Sequence, residues 1–324
     1  MRLALAGAIA LLATALVTTS AAADSPNSSP AAPAAPAAPA APTAPAASAP
    51  APAQYQIGTF NMAGGNAEHG TKGDEAPEAL ARSVRDRMPA VVAIQEGCGD
   101  WTLALWNKLR EQQYDVLLNP VLQRAGGPNA ECYHPNSFGF GNGLIMRKDI
   151  GFDPNTYRAH ELTKNAAVDP ARKDHKEQRE MLCVTAPARN LVACSVHLTH
   201  DDRQLRIAEA AEARRILAVE YAGHTKLVGG DLNDDPLSAA ADQFYDSGYG
   251  FGARGELKEA DSICGNKITP VANIYWTPCR LGEGTHGTGK IDYLFVSPRV
   301  HVRWADATSA NHSDHVPLWA EVTL

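Results

Sequence analysis

The chain has 324 residues, of which 44% are hydrophobic and 20% are charged, a balance typical of globular proteins. Its formal net charge at pH 7 is −7, so it lacks the basic excess of proteins that bind nucleic acid by charge alone. The acidity argues against a purely electrostatic nucleic-acid binder, but it is compatible with an enzyme that contacts DNA only at an active site.

The first 54 residues differ from the rest, because only two of them, Arg2 and Asp24, are charged. Arg2 precedes an apolar run over residues 3–17, and Ala21–Ala23 offers a small-residue cleavage site, as in secretory signal peptides. The run is shorter than a membrane span normally requires, which leaves an uncleaved anchor as the alternative. The sequence therefore predicts a signal peptide over residues 1–23, secretion to the extracellular side and no transmembrane segment.

Residues 24–54 consist largely of repeated Ala-Ala-Pro units. Proline at every second or third position is incompatible with an α-helix and with the interior of a sheet. We therefore predict a disordered, extended linker of the polyproline type over residues 24–54, followed by one folded domain over residues 55–324.

Strands and helices alternate along this domain. Short apolar runs predict strands at residues 55–61, 91–96, 143–147, 180–185, 191–196, 226–230, 291–296 and 316–324. Because hairpins are mixed with helical crossovers, the order indicates α/β layers around sheets and not a simple Rossmann sheet. The glycine-rich segment 139–143 is interpreted as a turn, since it precedes a strand instead of joining a strand to a helix.

Three segments have the apolar spacing of helices. The first follows Asp74-Glu75 and Pro77, the second spans residues 101–113, and the third spans residues 203–221 after Asp201-Asp202, which can cap it. The side chains expected to face the core are Leu80, Val84 and Met88 in the first helix, Leu105, Trp106 and Leu109 in the second, and Leu205, Ala208, Ala211 and Ile216 in the third.

All six cysteines lie in the domain, and an even number in an exported chain favours disulfides. If the two strands around residues 186–190 fold as a hairpin about residues 188 and 189, Cys183 and Cys194 face each other at a separation that a disulfide can bridge. Sequence proximity suggests Cys98–Cys132 and Cys264–Cys279 as further pairs. A structural zinc site is the alternative, but the chain contains no Cys-x-x-Cys pair.

Polar side chains stand at the ends of several apolar strands or just before them. Some are unremarkable alone, since Asn61 and the segment 230–233 suit turns. Asp292 is harder to explain in this way, because it interrupts an apolar strand and a buried carboxylate needs a partner. Strand ends gather at one rim of a sheet, so the set predicts a shared site made of Asn61, Glu96, His197, Asp231, Asn233, Asp292, Asp314 and His315.

These residue types suit the metal-assisted hydrolysis of a phosphate ester. Carboxylates with an amide favour a hard cation such as Mg²⁺. A His–Asp pair makes a general base with a fixed tautomer, and a second histidine with an asparagine can donate hydrogen bonds to a phosphate oxyanion. The sequence shows no serine or cysteine nucleophile in a recognisable elbow.

Six short motifs occur in the order seen in one known superfamily. They are Thr59-Phe-Asn61, Ile94-Gln-Glu96, Ser195-Val-His197-Leu198, Gly230-Asp-Leu-Asn-Asp-Asp-Pro236, Lys290-Ile-Asp-Tyr-Leu-Phe295 and Ser313-Asp-His-Val-Pro317. By these motifs residues 55–324 resemble the catalytic domains of DNase I-like, metal-dependent phosphoesterases of the endonuclease/exonuclease/phosphatase superfamily. The resemblance implies a four-layer α/β sandwich, with two central mixed β-sheets flanked by helices and the site at one end.

The resemblance also implies the residues that bind the metal. Glu96 would hold Mg²⁺, helped by Asn61 and Asp314, with Mn²⁺ or Ca²⁺ as substitutes.

Five further residues receive catalytic roles from the same resemblance. His315 would act as general base or acid, oriented by Asp292. Asp231 would position the attacking water or the metal. Asn233 and His197 would hydrogen-bond the phosphate.

The substrate class follows by elimination. The signature of inositol 5-phosphatases is absent, since the chain reads His286-Gly-Thr-Gly-Lys-Ile-Asp292 at that position, and no long apolar hairpin suggests a membrane-inserting sphingomyelinase. Export and disulfides fit a secreted nuclease, so we expect a monomeric endonuclease that acts on DNA, with no protein partner indicated. Arg147, Lys148 and Arg203 are the candidates for contacting its backbone. A phosphatase or a phospholipase C-type enzyme of the same superfamily is the alternative.

Two other classes of protein remain alternatives. The pairs His197/His200 and His312/His315 have the His-x-x-His spacing of a zinc hydrolase, against which stands the excess of carboxylates. A non-catalytic binding module on the same fold normally lacks the base or the metal carboxylate, whereas this chain has both His315 and Glu96.

Overall fold

The computed structural model describes residues 53–66, 68, 75–121, 130, 132–133, 137–162, 177–272, 276–309 and 312–324. The predicted signal peptide and almost all of the predicted linker lie outside these residues, so both remain predictions. No helix in the described part of the chain is both long and apolar enough to cross a membrane.

Twelve strands and three α-helices form the described part of the domain. The strands are β1 (Gln54–Asn61), β2 (Val91–Cys98), β3 (Tyr114–Pro120), β4 (Phe140–Arg147), β5 (Arg158–Glu161), β6 (Glu180–Ala186), β7 (Leu191–His197), β8 (Thr225–Asp231), β9 (Lys258–Glu259), β10 (Asp292–Val296), β11 (His301–Ala307) and β12 (Leu318–Thr323). The helices are α1 (Glu75–Arg87), α2 (Gly99–Leu109) and α3 (Arg203–Val219).

The strands form two mixed six-stranded sheets. The first has the order β11-β12-β1-β2-β4-β3, and the second has the order β5-β6-β7-β8-β10-β9. Each sheet contains one parallel pair, β1 with β2 and β7 with β8, and its other pairs are antiparallel. A helix connects the strands of each parallel pair, α1 in the first sheet and α3 in the second, because a parallel pair needs a long crossover.

The sheets pack face to face, with the helices outside. Aliphatic side chains from both sheets fill the layer between them, among them Ile57, Leu144, Leu182, Leu227, Leu294 and Leu318. A second cluster joins the first sheet to α1 and α2, and a third joins the second sheet to α3. The predicted four-layer α/β sandwich with two central mixed sheets is confirmed.

Close contacts hold β2 of the first sheet against β7 and β8 of the second. Gln95 Nε2 donates to Ser195 Oγ at 2.9 Å, and the Ser195 hydroxyl donates to the carbonyl of Ile94 at 2.7 Å. A Cβ placed on Gly229 would lie 2.7 Å from Ala93 Cβ and 2.9 Å from Thr59 Cβ. The sheets can approach this closely because residue 229 has no side chain.

All three predicted disulfides are present. In the hairpin of β6 and β7, Cys183 lies directly opposite Cys194, as the predicted register requires. The other two bonds are Cys98–Cys132 and Cys264–Cys279. The sequence prediction of the cysteine pairing is therefore confirmed.

Two apolar side chains expected in the core lie at the surface instead. Met88 follows the end of α1 with a φ of 46° and is 41% exposed, because the helix stops at Arg87. Trp106 is 38% exposed, and the guanidinium carbon of Arg110 lies over its ring at 5.0 Å from the ring centroid. The buried face of α2 is instead formed by Trp101, Leu105 and Leu109, which follow one another at intervals of four residues.

The buried face of α3 also differs from the predicted apolar stripe. Ile216 is buried as expected, but Ala208 is exposed. The face is displaced because it includes two charged residues, Arg206 and Glu209, which hydrogen-bond the backbone at Thr199. An apolar pattern cannot reveal inward positions that carry charge.

The interpretation of residues 139–143 as a turn is wrong, because β4 begins at Phe140. Its glycines allow β3 to approach closely, since a Cβ on Gly141 would lie 2.0 Å from the carbonyl oxygen of Asn119. The strands that the sequence did not predict, β3, β5, β9 and β11, are the four edge strands of the two sheets. Edge strands are exposed on one side, so their apolar pattern is weak.

Candidate active site

The sheet topology brings the predicted polar residues to one rim of the sandwich. Because β1 and β2 are parallel, Asn61 and Glu96 lie at the same edge of the first sheet. In the second sheet His197 pairs directly with Asp231. Since β10 runs antiparallel to β8, its first residue, Asp292, also lies opposite Asp231.

Residues 313–315, which precede β12 of the first sheet, lie at the same rim. The hydroxyl of Ser313 donates to the carbonyl of Asn61 at 2.8 Å and accepts from the backbone N–H of His315 at 3.0 Å. These two bonds fix His315 in a buried position, while Asp314 remains exposed.

One oxygen atom, Asp231 Oδ2, is the common point of the site. It lies 3.0 Å from Asn61 Nδ2, 3.5 Å from His197 Nε2 and 3.8 Å from His315 Nε2. The other carboxylate oxygen accepts from the backbone N–H of Asn233 at 2.7 Å. Burial, reinforced by the charge of Asp292, raises the pKa of Asp231 to about 7. Three nitrogen donors from both sheets therefore surround one buried carboxylate.

His315 and Asp292 form a buried pair beside this carboxylate. Nδ1 of His315 lies 2.8 Å from Asp292 Oδ2, which leaves Nε2 facing Asp231. Burial by itself lowers the pKa of His315, but the charges of Asp292 and Asp231 outweigh it and raise the pKa to about 10. The imidazole therefore keeps its second proton at neutral pH.

Glu96 reaches the site from an irregular point of β2. The pairing of β2 with β4 shifts register between Ile94 and Gly97, and Glu96 has a φ of 51° in this bulge. A left-handed residue other than glycine costs on the order of 1 kcal/mol, and such strain clusters at functional sites. The bulge directs the carboxylate so that Oε1 accepts from Asn61 Nδ2 at 3.2 Å and Oε2 from the N–H of Gly65 at 3.1 Å.

His197 is held by Arg179, which immediately precedes β6. Arg179 Nη1 lies 2.8 Å from His197 Nδ1, and its Nη2 lies 3.5 Å from His200 Nδ1. A guanidinium can only donate hydrogen bonds, so Nδ1 of His197 accepts and the ring proton is on Nε2, which faces Asp231. Burial, followed by the charge of Arg179, lowers the pKa of His197 well below its ordinary value. The ring is therefore neutral.

Asn233 completes the side of the site that contains His197. Its φ of 52° lies in the left-handed region, which asparagine tolerates better than most residues. Its Nδ2 donates to the carbonyl of Leu198 at 2.9 Å and lies 3.2 Å from His197 Nε2. Because both nitrogens carry protons, an oxygen placed beside them can accept from both.

Asp314 lies at the edge of the network that the other seven predicted residues form. Its Oδ2 accepts from Asn66 Nδ2 at 3.0 Å and lies 3.7 Å from Nε2 of His286. The ring of His286 is tilted against that of His315, with 4.7 Å between the centroids.

The donors in this cleft fit a hard divalent cation. Burial, followed by the charge of Glu177, raises the pKa of Glu96, and Asp292 Oδ1 is buried with no hydrogen-bond partner among the described residues. A bound cation would offset this concentration of carboxylates, and their oxygens are the ligands that Mg²⁺ prefers. Asn61 assists by orientation, because its Nδ2 contacts Glu96 and Asp231 while its Oδ1 accepts from the N–H of Ala63.

Sequence analysis missed Arg179 and His286. No spacing links Arg179 to His197, because the two residues meet only when β6 pairs with β7. His286 had a usable signal, since it belongs to the segment that leads into Asp292. The neighbouring Thr285 is buried, and its Oγ1 accepts from the backbone N–H of Asp292 at 2.9 Å.

Two basic residues that the sequence suggested as DNA contacts lie at the other end of the sandwich. β4 runs antiparallel to β2, so Arg147 at its end lies near Val91 and far from Glu96. Lys148 follows Arg147 in the chain and pairs with Asp115. The suggestion is therefore wrong for both residues.

The His-x-x-His pairs are not arranged as the ligands of one metal. The guanidinium of Arg179 bonds both His197 and His200, and its positive charge opposes a cation there. In the second pair, His312 Nδ1 contacts Glu75 Oε2 at 3.2 Å, whereas His315 faces Asp292.

A two-sheet α/β sandwich with an Asp–His pair and further carboxylates at one rim defines a phosphoesterase of the DNase I-like class. The sequence model of the Endonuclease/Exonuclease/phosphatase family matches residues 58–315, so the chain belongs to this family. No curated protein matches the chain.

Several solved structures share the fold at low sequence identity. The human Nocturnin catalytic domain with bound sulfate is 16% identical, with a TM-score of 0.60, and the match covers 83% of this chain and 93% of that one. The mannosyl-6-phosphatase of Bacteroides thetaiotaomicron is 16% identical, with a TM-score of 0.58 and coverage of 83% and 100%. A humanized D. rerio TDP2 is 15% identical, with a TM-score of 0.55 and coverage of 83% and 98%. At these identities the similarity concerns the fold.

Proposed function

We propose that the protein is a secreted, Mg²⁺-dependent phosphodiesterase that cleaves DNA. The observation that carries the proposal is the convergence of Asn61, His197 and His315 on Asp231 Oδ2. Hydrogen-bond donors beside a buried carboxylate suit one phosphate group and one attacking water. Three disulfides and the predicted signal peptide support an extracellular location.

Asp231 is the general base of the proposed reaction. Its Oδ2 is only 3.8 Å from His315 Nε2, so both groups face the same side of a bound phosphate. Only one of them can accept the proton of the attacking water, and His315 already holds its proton through Asp292. Asp231 therefore takes the proton, and His315 donates to a phosphate oxygen. His197 and Asn233 donate to the same group through Nε2 and Nδ2.

Hydrolysis converts the diester into a monoester and an alcohol. The oxygen of water forms a bond to phosphorus, and the bond to the leaving oxygen breaks. The leaving oxygen takes a proton from solvent to become the alcohol, and Asp231 returns its proton to solvent. Glu96 would hold Mg²⁺ with help from Asp314, while Asn61 keeps the carboxylate of Glu96 in position. When bound, Mg²⁺ supplies Lewis-acid stabilisation of the charge on the phosphate and the leaving oxygen.

The charges around the site favour a diester over a monoester. Among the described residues, five carboxylates lie near the guanidinium of Arg179 and the imidazole of His315, namely those of Glu96, Glu177, Asp231, Asp292 and Asp314. A phosphodiester carries one negative charge, whereas a phosphomonoester carries roughly 1.5 to 2 at pH 7. The monoester is therefore repelled more strongly, and the described residues of the site include no cluster of the basic side chains that usually bind a monoester.

A comparison of substrates tests this proposal. The protein is incubated at low salt with supercoiled plasmid, RNA, sphingomyelin, an inositol phosphate, an aryl phosphodiester and the matching aryl monoester, with Mg²⁺ and with excess chelator. We expect plasmid nicking and cleavage of the diester that both require Mg²⁺, and little cleavage of the monoester.

His315→Ala and His301→Ala are a matched pair of variants for these assays. His315 is buried in the site, whereas His301 is exposed on the edge strand β11. We expect His315→Ala to lose activity and His301→Ala to keep it. Preferential hydrolysis of the monoester or of a lipid would contradict the choice of DNA, and activity in excess chelator would contradict the role of the metal.

A further inference from the structure

His286, Asp314 and His315 form a group of possible metal ligands, of which the proposed hydrolysis uses Asp314 and His315 but not His286. One ligand atom from each of the three side chains lies within 4.8 Å of the other two. Two imidazoles and one carboxylate favour first-row transition metals such as Zn²⁺, whereas Mg²⁺ prefers oxygen alone.

The backbone holds the two histidines side by side. His286 and His315 form an antiparallel bridge, and the N–H of Val316 donates to the carbonyl of Thr285 at 2.8 Å. On its other side, His286 exchanges hydrogen bonds of 3.0 and 2.9 Å with Gly289 across a tight turn. The backbone of His286 is therefore held by hydrogen bonds on both sides.

The spacing of two of these donors, His286 and Asp314, is close to the spacing expected in a tetrahedral zinc site. With bonds of about 2.0–2.1 Å, two ligand atoms of such a site are about 3.4 Å apart. His286 Nε2 and Asp314 Oδ2 are 3.7 Å apart, and Oδ2 also accepts from Asn66. His286 is exposed, so a small rotation of its ring can close the remaining gap.

The contact between His315 and Asp292 completes the arrangement. Metal-binding histidines commonly bond a carboxylate through their second ring nitrogen, which fixes the ring and makes it a better ligand. His315 bonds Asp292 through Nδ1 at 2.8 Å, which leaves Nε2 as its ligand atom. The carboxylates of Asp231 and Asp292, which lie 3.8 and 2.8 Å from the nitrogens of this ring, also favour a dication.

We propose that His286, Asp314 and His315 form a binding site for a transition-metal ion such as Zn²⁺, and that its occupation inhibits the enzyme. The inhibitory part rests on the proposed function, because it follows from engaging His315, which donates to the phosphate. Binding of the transition-metal ion would also make Asp314 unavailable as a ligand of Mg²⁺. The proposed ion is an inhibitor, and the Mg²⁺ held by Glu96 remains the catalytic metal.

A metal titration without substrate tests the site directly. Co²⁺ is added at pH 8 to the whole protein, prepared without a polyhistidine tag, and the visible absorption of tetrahedral Co²⁺ is followed. Zn²⁺ is then added to displace it. Wild type, His286→Ala and His301→Ala are compared, and circular dichroism checks that each is folded. We expect His286→Ala to bind Co²⁺ at least about tenfold more weakly, with His301→Ala unchanged.

The inhibitory role is tested with whichever phosphoester the wild type hydrolyses. We expect His286→Ala to keep its Mg²⁺-dependent rate and to need at least about tenfold more Zn²⁺ for half inhibition. Equal Co²⁺ binding by wild type and His286→Ala would overturn the site, and equal inhibition would overturn its role. If no phosphoester is cleaved, the proposed function fails while the Co²⁺ titration still decides whether the site exists.

Discussion

Nη1 of Arg179 lies 2.8 Å from Nδ1 of His197, and this contact determines which nitrogen of the histidine carries the proton. The positive charge of the arginine opposes protonation of the ring. The two histidines of the site have different partners and therefore different protonation states. His315, paired with Asp292, is charged, whereas His197, paired with Arg179, is neutral.

We predict that Arg179→Met releases this tautomer and lowers activity roughly ten- to hundredfold, the scale seen when the partner that orients a histidine is removed. Nitrogen-15 NMR of the imidazole should show the proton on Nε2 in wild type and a mixture of tautomers in the variant. Arg179→Lys, which keeps a donor, should largely restore the wild-type spectrum. Arg189→Met, at an exposed arginine between β6 and β7, is the control. An unchanged tautomer in Arg179→Met would show that the arginine does not set it.

The pair of His315 and Asp292 should act as one unit. We expect His315→Ala and Asp292→Asn each to lower kcat/KM by at least about a hundredfold, the usual scale of acid–base catalysis. The double variant should be little worse than either single one, because the losses of coupled residues do not add. Initial rates with saturating Mg²⁺ would measure this. Losses that multiply in the double variant would mean that the two residues act independently.

Asp231→Ala is predicted to cost at least about a hundredfold in rate as well, because it removes the proposed base. Asp231→Asn is the informative companion, since it keeps the size of the side chain and can still contact Asn61 and His315. If Asp231→Asn were nearly as active as wild type, Asp231 would orient groups in the site without accepting a proton.

The left-handed backbone at Glu96 predicts a conflict between stability and activity. Glu96→Ala and Glu96→Gly should both lose Mg²⁺ binding and activity, because each removes the carboxylate. Glu96→Gly should be about 1 kcal/mol more stable than Glu96→Ala, since glycine adopts a φ of 51° without strain. Calorimetric titration with Mg²⁺ and urea unfolding would measure the two effects. Equal stability of the variants would mean that the bulge stores no strain.

Glu180 predicts a pH-dependent stability that is unrelated to catalysis. It is 5% exposed, Asn119 bonds only one of its oxygens, and burial raises its pKa to about 8. The folded protein therefore keeps Glu180 neutral where the unfolded chain ionises it. The stability contribution is complete below about pH 4.5 and is lost as the pH rises toward 8, by up to about 1.4 kcal/mol per pH unit.

Glu180→Gln should remove this dependence. The variant should gain Tm relative to wild type between pH 5 and pH 8, while the exposed control Glu111→Gln should follow the wild type. Parallel Tm curves for wild type and Glu180→Gln would show that Glu180 is not held neutral in the folded protein.

The sequence predicted the central strands and the helices because each has a pattern of its own. The strand that ends at His197 is buried throughout and reads as a nearly continuous apolar run, and the strands that end at Asn61 and Asp231 are buried over their last five and last six residues. Their polar ends stand out against these runs. The Cys183–Cys194 pair was predictable for a similar reason, since a short hairpin fixes its own register.

Other features depend on contacts between distant segments, which one sequence does not encode locally. Arg179 reaches His197 through strand pairing, and His286 reaches Asp314 across a bridge between two loops. The inward-facing Arg206 of α3 bonds Asp234 and the backbone at Thr199, so a charged residue occupies a position that an apolar pattern excludes.

The glycine at position 229 has a consequence for evolution and engineering of the enzyme. Gly229 lies two residues before Asp231 and faces Thr59, which lies two residues before Asn61. A methyl group there would push apart the two strands whose ends hold Asp231, the proposed general base, and Asn61, whose amide contacts Glu96. Gly229→Ala would thus disturb the proposed catalytic centre by separating the two sheets, without altering any residue that touches the substrate. A screen of variants confined to the residues of the cleft would not include this position.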